Sequence, residues 1–138
     1  MSKNSEVVRK AYEAWNSGDC DAWLQTLHPS AEWHTSSVYP DLDPVYRGHE
    51  GLAEFWRRQH EAWEAHRIDV ERLDEEGDCF VLEVRFRAKG IDSGLNVDMK
   101  AIHAIRVRDG LIFAGATRGT AEEAREALPK QEPSARRL

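Results

Sequence analysis

At 138 residues the chain has room for one domain, and its formal net charge of −6 weighs against nucleic acid or an anionic membrane surface as a partner. No run approaches the ~18 consecutive apolar residues of a membrane span. Leu, Ile, Val and Phe make up only about one residue in five, the level at which charged chains hover between folded and disordered.

Five tryptophans and three tyrosines tip the chain toward folded, because a large aromatic buries on the order of 150–250 Å². Such a core suits a domain lined around a cavity as well as a solid one. Cys20 and Cys79 are the only cysteines, and the charged start of the chain has no apolar signal-like core. The expectation is reduced thiols and a cytoplasmic protein.

Val7, Val8, Ala11, Tyr12 and Trp15 recur at helical spacing, with Ser2, Asn4 or Ser5 as N-cap and Asn16-Ser17-Gly18 as a stop, which predicts a first amphipathic helix. Asp19 or Asp21 caps a shorter second helix with Trp23, Leu24 and Leu27 on one side, closed by His28-Pro29. Residues 31–35 alternate as a short strand, and the stretch 36–48, with two prolines and two aspartates, reads as an irregular loop. Leu52, Phe55, Trp56, Gln59 and Trp63 form the stripe of a long helix from Gly48 to about Glu64.

Four runs of strand character follow, at 66–73, 79–89, 95–108 and 111–118, with Asp109-Gly110 as the strongest hairpin signal between them. Thr120-Ala-Glu-Glu123 is a capping box opening a last helix that ends before Pro129. The polar stretch beyond predicts a disordered tail, so the domain spans 1–128 and the tail 129–138. Helices ahead of an antiparallel meander predict an α+β fold, with the helices packed on one face of a curved sheet.

Alternation along each strand tells which side chains look at the helices. Phe80, Leu82, Val84 and Phe86 share an inward face, opposite Glu83, Arg85, Arg87 and Lys89. Val97, Met99, Ala101, His103, Ile105 and Val107 share the next inward face, which leaves His103 alone among apolar residues in the middle of a core-facing row. It reads either as a core histidine bonded to a tyrosine or a backbone carbonyl, or as a polar group projecting into a pocket roofed by Trp15, Trp33, Trp56 and Trp63. In the pocket, burial would depress its pKa and leave a neutral imidazole able to give or take a proton near pH 7.

The segments Ala11-Tyr-Glu-Ala-Trp-Asn-Ser-Gly-Asp19, Leu27-His-Pro-Ser-Ala-Glu-Trp-His34, Tyr46-Arg-Gly-His-Glu-Gly51 with Phe55-Trp56, and Arg106-Val-Arg-Asp-Gly-Leu-Ile112 stand in an order and spacing that carry a resemblance. Over residues 5 to about 128 the chain resembles the SnoaL-like branch of the nuclear transport factor 2-like superfamily, which includes ketosteroid isomerases and polyketide cyclases. The resemblance implies a cystatin-like cone of curved antiparallel sheet around N-terminal helices, a mostly apolar pocket, and a homodimer packed through the outer sheet face.

It also places His103 where ketosteroid isomerases carry the carboxylic acid of their oxyanion hole. The isomerase base falls on Thr35 and its oxyanion tyrosine on Ala11, neither of which can do that work, so steroid isomerisation by that mechanism is not expected. The Asp-Arg-Asp set of a limonene epoxide hydrolase has no inward version, since Arg85, Arg87 and Asp98 face outward by parity. A polyketide-cyclase chemistry needs an inward acid or base and an enolate stabiliser, which His103 would supply with help from His34, Tyr39 or Tyr46.

The remaining candidates carry blander readings beside them. Strict alternation turns only one of Trp33 and His34 inward and favours Trp33, unless a bulge intervenes. The six histidines lack H-x-H or H-E-x-x-H spacing, so no metal and no other cofactor is expected. Arg85, Arg87, Lys89, Arg106 and Arg108 interleave with Glu83 and Asp98 as a solvated or interface face, with Ile102 and Ala104 as a small apolar centre for dimerisation. Arg118 reaches either the pocket mouth or water.

Two functions follow from this reading. One is a cofactor-independent isomerase, cyclase or lyase-type enzyme on a small hydrophobic carbonyl compound, with His103 as acid/base and Trp15, Trp33, His34, Tyr39, Trp56, Trp63, Phe86 and Met99 lining the pocket. The other is a non-catalytic ligand-binding or accessory domain using the same pocket.

Overall fold

The computed structural model describes residues 2–35 and 42–129. The expected pocket residue Tyr39 and the expected tail from residue 130 onward lie outside these. Helix α1 (Lys3–Ser17) begins where Ser2 accepts the amide of Ser5 and ends at Gly18, whose φ of 78° favours glycine. Helix α2 (Cys20–Gln25) is capped by Asp19, which accepts the amide of Ala22. Strands β1 (Leu27–His34) and β2 (Val45–Arg47), helix α3 (Gly48–Ala62), strands β3 (Trp63–Glu76), β4 (Cys79–Gly90), β5 (Asn96–Arg108) and β6 (Leu111–Arg118), and helix α4 (Ala121–Ala127) complete the chain.

Three boundaries differ from the sequence expectation, each for a local reason. β1 starts four residues early, because the His28-Pro29-Ser30 stretch is absorbed by a register shift between Leu27 and Glu32 rather than ending a helix. The stretch read as a loop contains β2, which pairs with β1 through Arg47, Tyr46 and Val45. The α3 helix stops at Ala62 and passes without a loop into β3, so Trp63 has extended backbone (φ −125°, ψ 138°) and leaves the helical stripe to which its spacing assigned it.

The six strands form one curved sheet in the order β2-β1-β6-β5-β4-β3, antiparallel throughout except for the β1–β6 pair. With the helices grouped at the start of the chain, this is the α+β architecture expected. Asp109 and Gly110, with φ of 54° and 78°, make the tight turn between β5 and β6. The inner face packs on α1, α2 and α3, and Phe80, Leu82, Val84, Ile105 and Val107 anchor it as parity predicts.

The outer face departs from expectation. Helix α4 lies across β5 and β6 and joins a second apolar layer of Ala104, Phe113, Ala114, Ala116, Ala124 and Leu128, with Ile102 packed at its edge. Ala104 is therefore buried by its own chain and is no apolar centre for a dimer. A register shift opposite Arg106 and Val107 permits this layer, because it lets both Phe113 and Ala114 face outward while Ile112 and Gly115 face in.

Gly115 positions the cavity wall. It pairs with Trp33 across β1 and β6, and a Cβ there would stand 2.1 Å from the indole ring. Replacing Gly115 with alanine should therefore force Trp33 from its slot and cost about 1–3 kcal/mol as an overpacked core. Thermal unfolding should show a lowered midpoint, together with an altered tryptophan emission spectrum.

Candidate functional site

Helices α1, α2 and α3 and the inner sheet face enclose a predominantly apolar cavity with about 80 Å³ of free space, several times what one water needs. His103 enters it from the middle of β5, between its neighbours Leu82 on β4 and Thr117 on β6, and is only 7% exposed. Its Nδ1 lies 2.6 Å from the Tyr12 hydroxyl of α1, and Trp33 meets the ring edge-on at 5.1 Å. Burial pushes the His103 pKa down to about 4 and the Tyr12 phenol up, so both are neutral at pH 7.

The direction of that hydrogen bond follows from relative acidity. A phenol is a better donor than a neutral imidazole N–H, and an imidazole nitrogen is a better acceptor than a phenol oxygen. Tyr12 therefore donates to Nδ1, which leaves the ring proton on Nε2, a position with no hydrogen-bond partner among the described residues. The site thus offers one N–H donor, oriented by a buried tyrosine, at an apolar surface.

A second histidine lines the same cavity from the start of β3. The Trp15 indole N–H donates to His66 Nε2 at 3.3 Å. Burial, with His60 nearby, pushes the His66 pKa down to about 3. Because an indole can only donate, Nε2 must be the bare nitrogen and Nδ1 must carry the proton. That Nδ1 is buried without a partner among the described residues, a state that costs on the order of 1–3 kcal/mol.

The expected site residues separate into two groups. Trp15, Trp33, Phe86 and His103 border the cavity. Trp56 does not: it stands one layer back, in contact with Trp15, Trp23 and the ring of His60. Trp63, displaced by the early helix end, packs its ring against Phe86 and donates to Gln59 instead. Met99 lies opposite Phe86 in the β4–β5 ladder, toward the hairpin and beyond the cavity wall.

His34 points to the opposite side of β1 from Trp33. There it meets the Glu32 carboxylate at 3.0 Å, beside Arg47 at 3.3 Å from the other oxygen. Arg118 is spent on the carbonyls of Thr35 and Thr117. Tyr46 is buried, with its hydroxyl accepting the Asp43 amide.

Tyr12, Trp23, Phe55 and His66 are cavity residues that the site prediction omitted. Two had signals. Tyr12 stands three residues before Trp15 on one helical face, and His66 shares parity with the inward Ile68 and Val70. Among the described residues no three His, Cys, Asp or Glu side chains gather as a metal site, and no helix is long and apolar enough to cross a membrane.

A family model described as a SnoaL-like domain matches residues 8–114. Among solved structures, TerC co-crystallised with polyporic acid is 21% identical, covers 91% of this chain and 97% of its own, and superposes with a TM-score of 0.78. An NTF2-like protein of unknown function from Burkholderia pseudomallei is 25% identical over 89% and 95%, with a TM-score of 0.78. A protein described as a SnoaL-like polyketide cyclase from Jannaschia sp. CCS1 is 19% identical over 94% and 93%, with a TM-score of 0.73. No curated protein matches the chain.

The two cavity histidines should show opposite tautomers in nitrogen-15 NMR of histidine-labelled protein, with His103 protonated on Nε2 and His66 on Nδ1, and neither should titrate between pH 8 and 5. Their unfolded counterparts take up protons around 6.5, whereas the folded rings wait until about 4 and about 3. The unfolded chain therefore binds more protons in this window, and stability should fall as pH drops below 6.5. Denaturant midpoints measured from pH 8 to 4.5 check this direction.

Proposed function

We propose that this chain, which belongs to the SnoaL-like domain family, binds a small, largely apolar carbonyl compound in its cavity and acts on it without a cofactor, with His103 as the acid/base group. The observation that carries this reading is the neutral His103 ring, fixed at Nδ1 by Tyr12 and presenting Nε2–H where no described residue accepts it. A carbonyl oxygen bound there gains a hydrogen bond that strengthens as charge develops toward an enolate, and the apolar wall keeps competing water away. Isomerisation, cyclisation and elimination next to a carbonyl all pass through such a charge. The similarity to a protein described as a polyketide cyclase agrees with this chemistry.

A specific observation favours the second reading, binding without turnover. Glu32 is the only acidic residue among the described residues that border the cavity, and its carboxylate lies on the opposite side of β1 from Trp33, engaged by His34 and Arg47, so it offers no base to a bound ligand. The two readings separate on 2-tetralone, a compact apolar ketone with exchangeable α-hydrogens. The enzyme reading expects deuteroxide from the solvent to take the α-proton of the bound ketone while His103 Nε2–H holds the enolate oxygen, so that the protein accelerates exchange of those hydrogens for deuterium, His103→Ala lowers the acceleration by at least ~100-fold, and Tyr12→Phe lowers it less. Saturable binding with no accelerated exchange would instead establish the binding reading, and absence of binding would overturn both.

The same proposal includes a homodimer through the part of the outer sheet face that α4 leaves open. There Arg67, Asp69, Arg85, Arg87 and Asp98 alternate in sign across β3, β4 and β5. Cys20 and Cys79 are unpaired thiols, which agrees with a reducing, cytoplasmic setting.

A further inference from the structure

Strands β5 and β6 place a second polar side chain beside His103. Thr117 is its direct partner in the antiparallel ladder, so the two Cβ atoms stand about 4.5–5.5 Å apart on one face of the sheet. That face is the inner one, and both residues border the cavity. Two positions earlier on β6 the same face holds Gly115, over which the Trp33 indole lies as it reaches the His103 ring. Thr117 is the next inward position of the strand.

Among the described residues, the hydroxyls that border the cavity are those of Tyr12, Thr35 and Thr117. Two are committed: Tyr12 donates to His103 Nδ1, and Thr35 donates to the carbonyl of Asp43 at 2.6 Å. The Thr117 hydroxyl has no hydrogen-bond partner among the described residues, and only its backbone carbonyl is engaged, by Arg118. Although the residue is just 8% exposed, its hydroxyl is not sealed in, since the polar side-chain atoms enclosed without a hydrogen bond are on His66, Arg85 and Arg106. The same holds for His103 Nε2. A polar atom that is neither bonded nor enclosed meets open space, and for two residues this buried on the cavity wall that space is the cavity. The fold itself gains nothing from the Thr117 hydroxyl, because valine has the same shape and no unpaired polar atom to desolvate.

We propose that Thr117 is a second ligand-contacting donor, whose hydroxyl shares with His103 Nε2–H the carbonyl oxygen of the bound compound. This rests on the reading of the cavity as a carbonyl-binding site. A carbonyl oxygen has two lone pairs, and neighbouring strands supply one neutral donor to each. When hydroxide from the solvent takes the α-proton and becomes water, the C–H electron pair forms the new C=C bond and the carbonyl π pair moves onto oxygen. Both donors keep their own protons and hold the enolate until water returns a proton to carbon. They differ in freedom: Tyr12 fixes the imidazole, whereas the threonine hydroxyl turns about its C–O bond to meet the oxygen.

The assignment is tested with Thr117→Val, Thr117→Ser and 2-tetralone labelled with carbon-13 at its carbonyl. Binding should move the carbonyl resonance downfield, by clearly less in the valine variant than in the unmodified protein, and the serine variant should restore the shift. This readout needs no turnover. The Kd for 2-tetralone, followed by tryptophan fluorescence, should rise about fivefold or less in the valine variant. Its accelerated exchange of α-hydrogens should fall further, by about 10- to 100-fold, because the bond strengthens as charge develops. The thermal midpoint of the valine variant should match or exceed that of the unmodified protein. A bound ketone with the same carbonyl resonance in the valine variant would overturn the role of Thr117 and leave the cavity reading standing. A lowered midpoint with that same resonance would assign the hydroxyl to the fold instead. Failure of 2-tetralone to bind the unmodified protein would overturn both readings.

Discussion

Trp15 is the side chain on which the inner half of this domain turns. It sits on α1, yet its ring meets Trp23 of α2, Phe55 and Trp56 of α3, and His66 of β3, while its backbone carbonyl is within hydrogen-bond distance of His60. A chain with so few aliphatic residues cannot fill the space between three helices and a curved sheet with Leu and Val alone. One large aromatic in contact with every inner layer substitutes for many methyl groups, and its single N–H gives the cluster one directional bond. That bond decides the tautomer of His66, so packing and cavity chemistry share one residue.

The cavity is polar without being charged. Its histidines are both held neutral by desolvation, and its tyrosine is held protonated by the same cause. The Glu32 carboxylate is turned to the other side of β1, where His34 and Arg47 satisfy it. Such a lining discriminates by hydrogen-bond direction rather than by net charge. Neutral donors also cost less to leave waiting in an apolar wall than ions would, because the penalty for burying an unpaired charge is far larger. An ionic site in such a wall would mainly add a desolvation barrier for a neutral molecule.

Much of this was legible in the chain, because the relevant patterns are local. Parity along 97–107 placed His103 inward, the Asp109-Gly110 pair fixed its hairpin, and Thr120 marked the start of α4. What escaped depended on breaks in period. The end of α3 at Ala62 moved Trp63 from a helical stripe to a strand, and nothing in Glu61-Ala62-Trp63-Glu64 announces the change, since no glycine or proline stands there. The shift on β6 that turns both Phe113 and Ala114 outward likewise has no sequence mark, so parity alone makes Ile102 and Ala104 look like a small exposed apolar centre and hides the layer that covers Ala104. The Tyr12–His103 bond spans 91 positions. A helical stripe and a strand parity each pointed inward, but only their packing shows that they meet.

The layer beneath α4 has a consequence for how such a site can diversify. Strand β6 is buried along nearly its whole length, with α4 on one side and the cavity-forming core on the other, and β5 beside it carries His103. A substitution there disturbs two cores at once, which ties the histidine to the least forgiving part of the sheet. The cavity walls drawn from α1, α2 and the start of β3 have packing on one side only. In this architecture the His103 end of the cavity is anchored by the sheet, while the shape of the rest can be retuned from the helices without unsettling it.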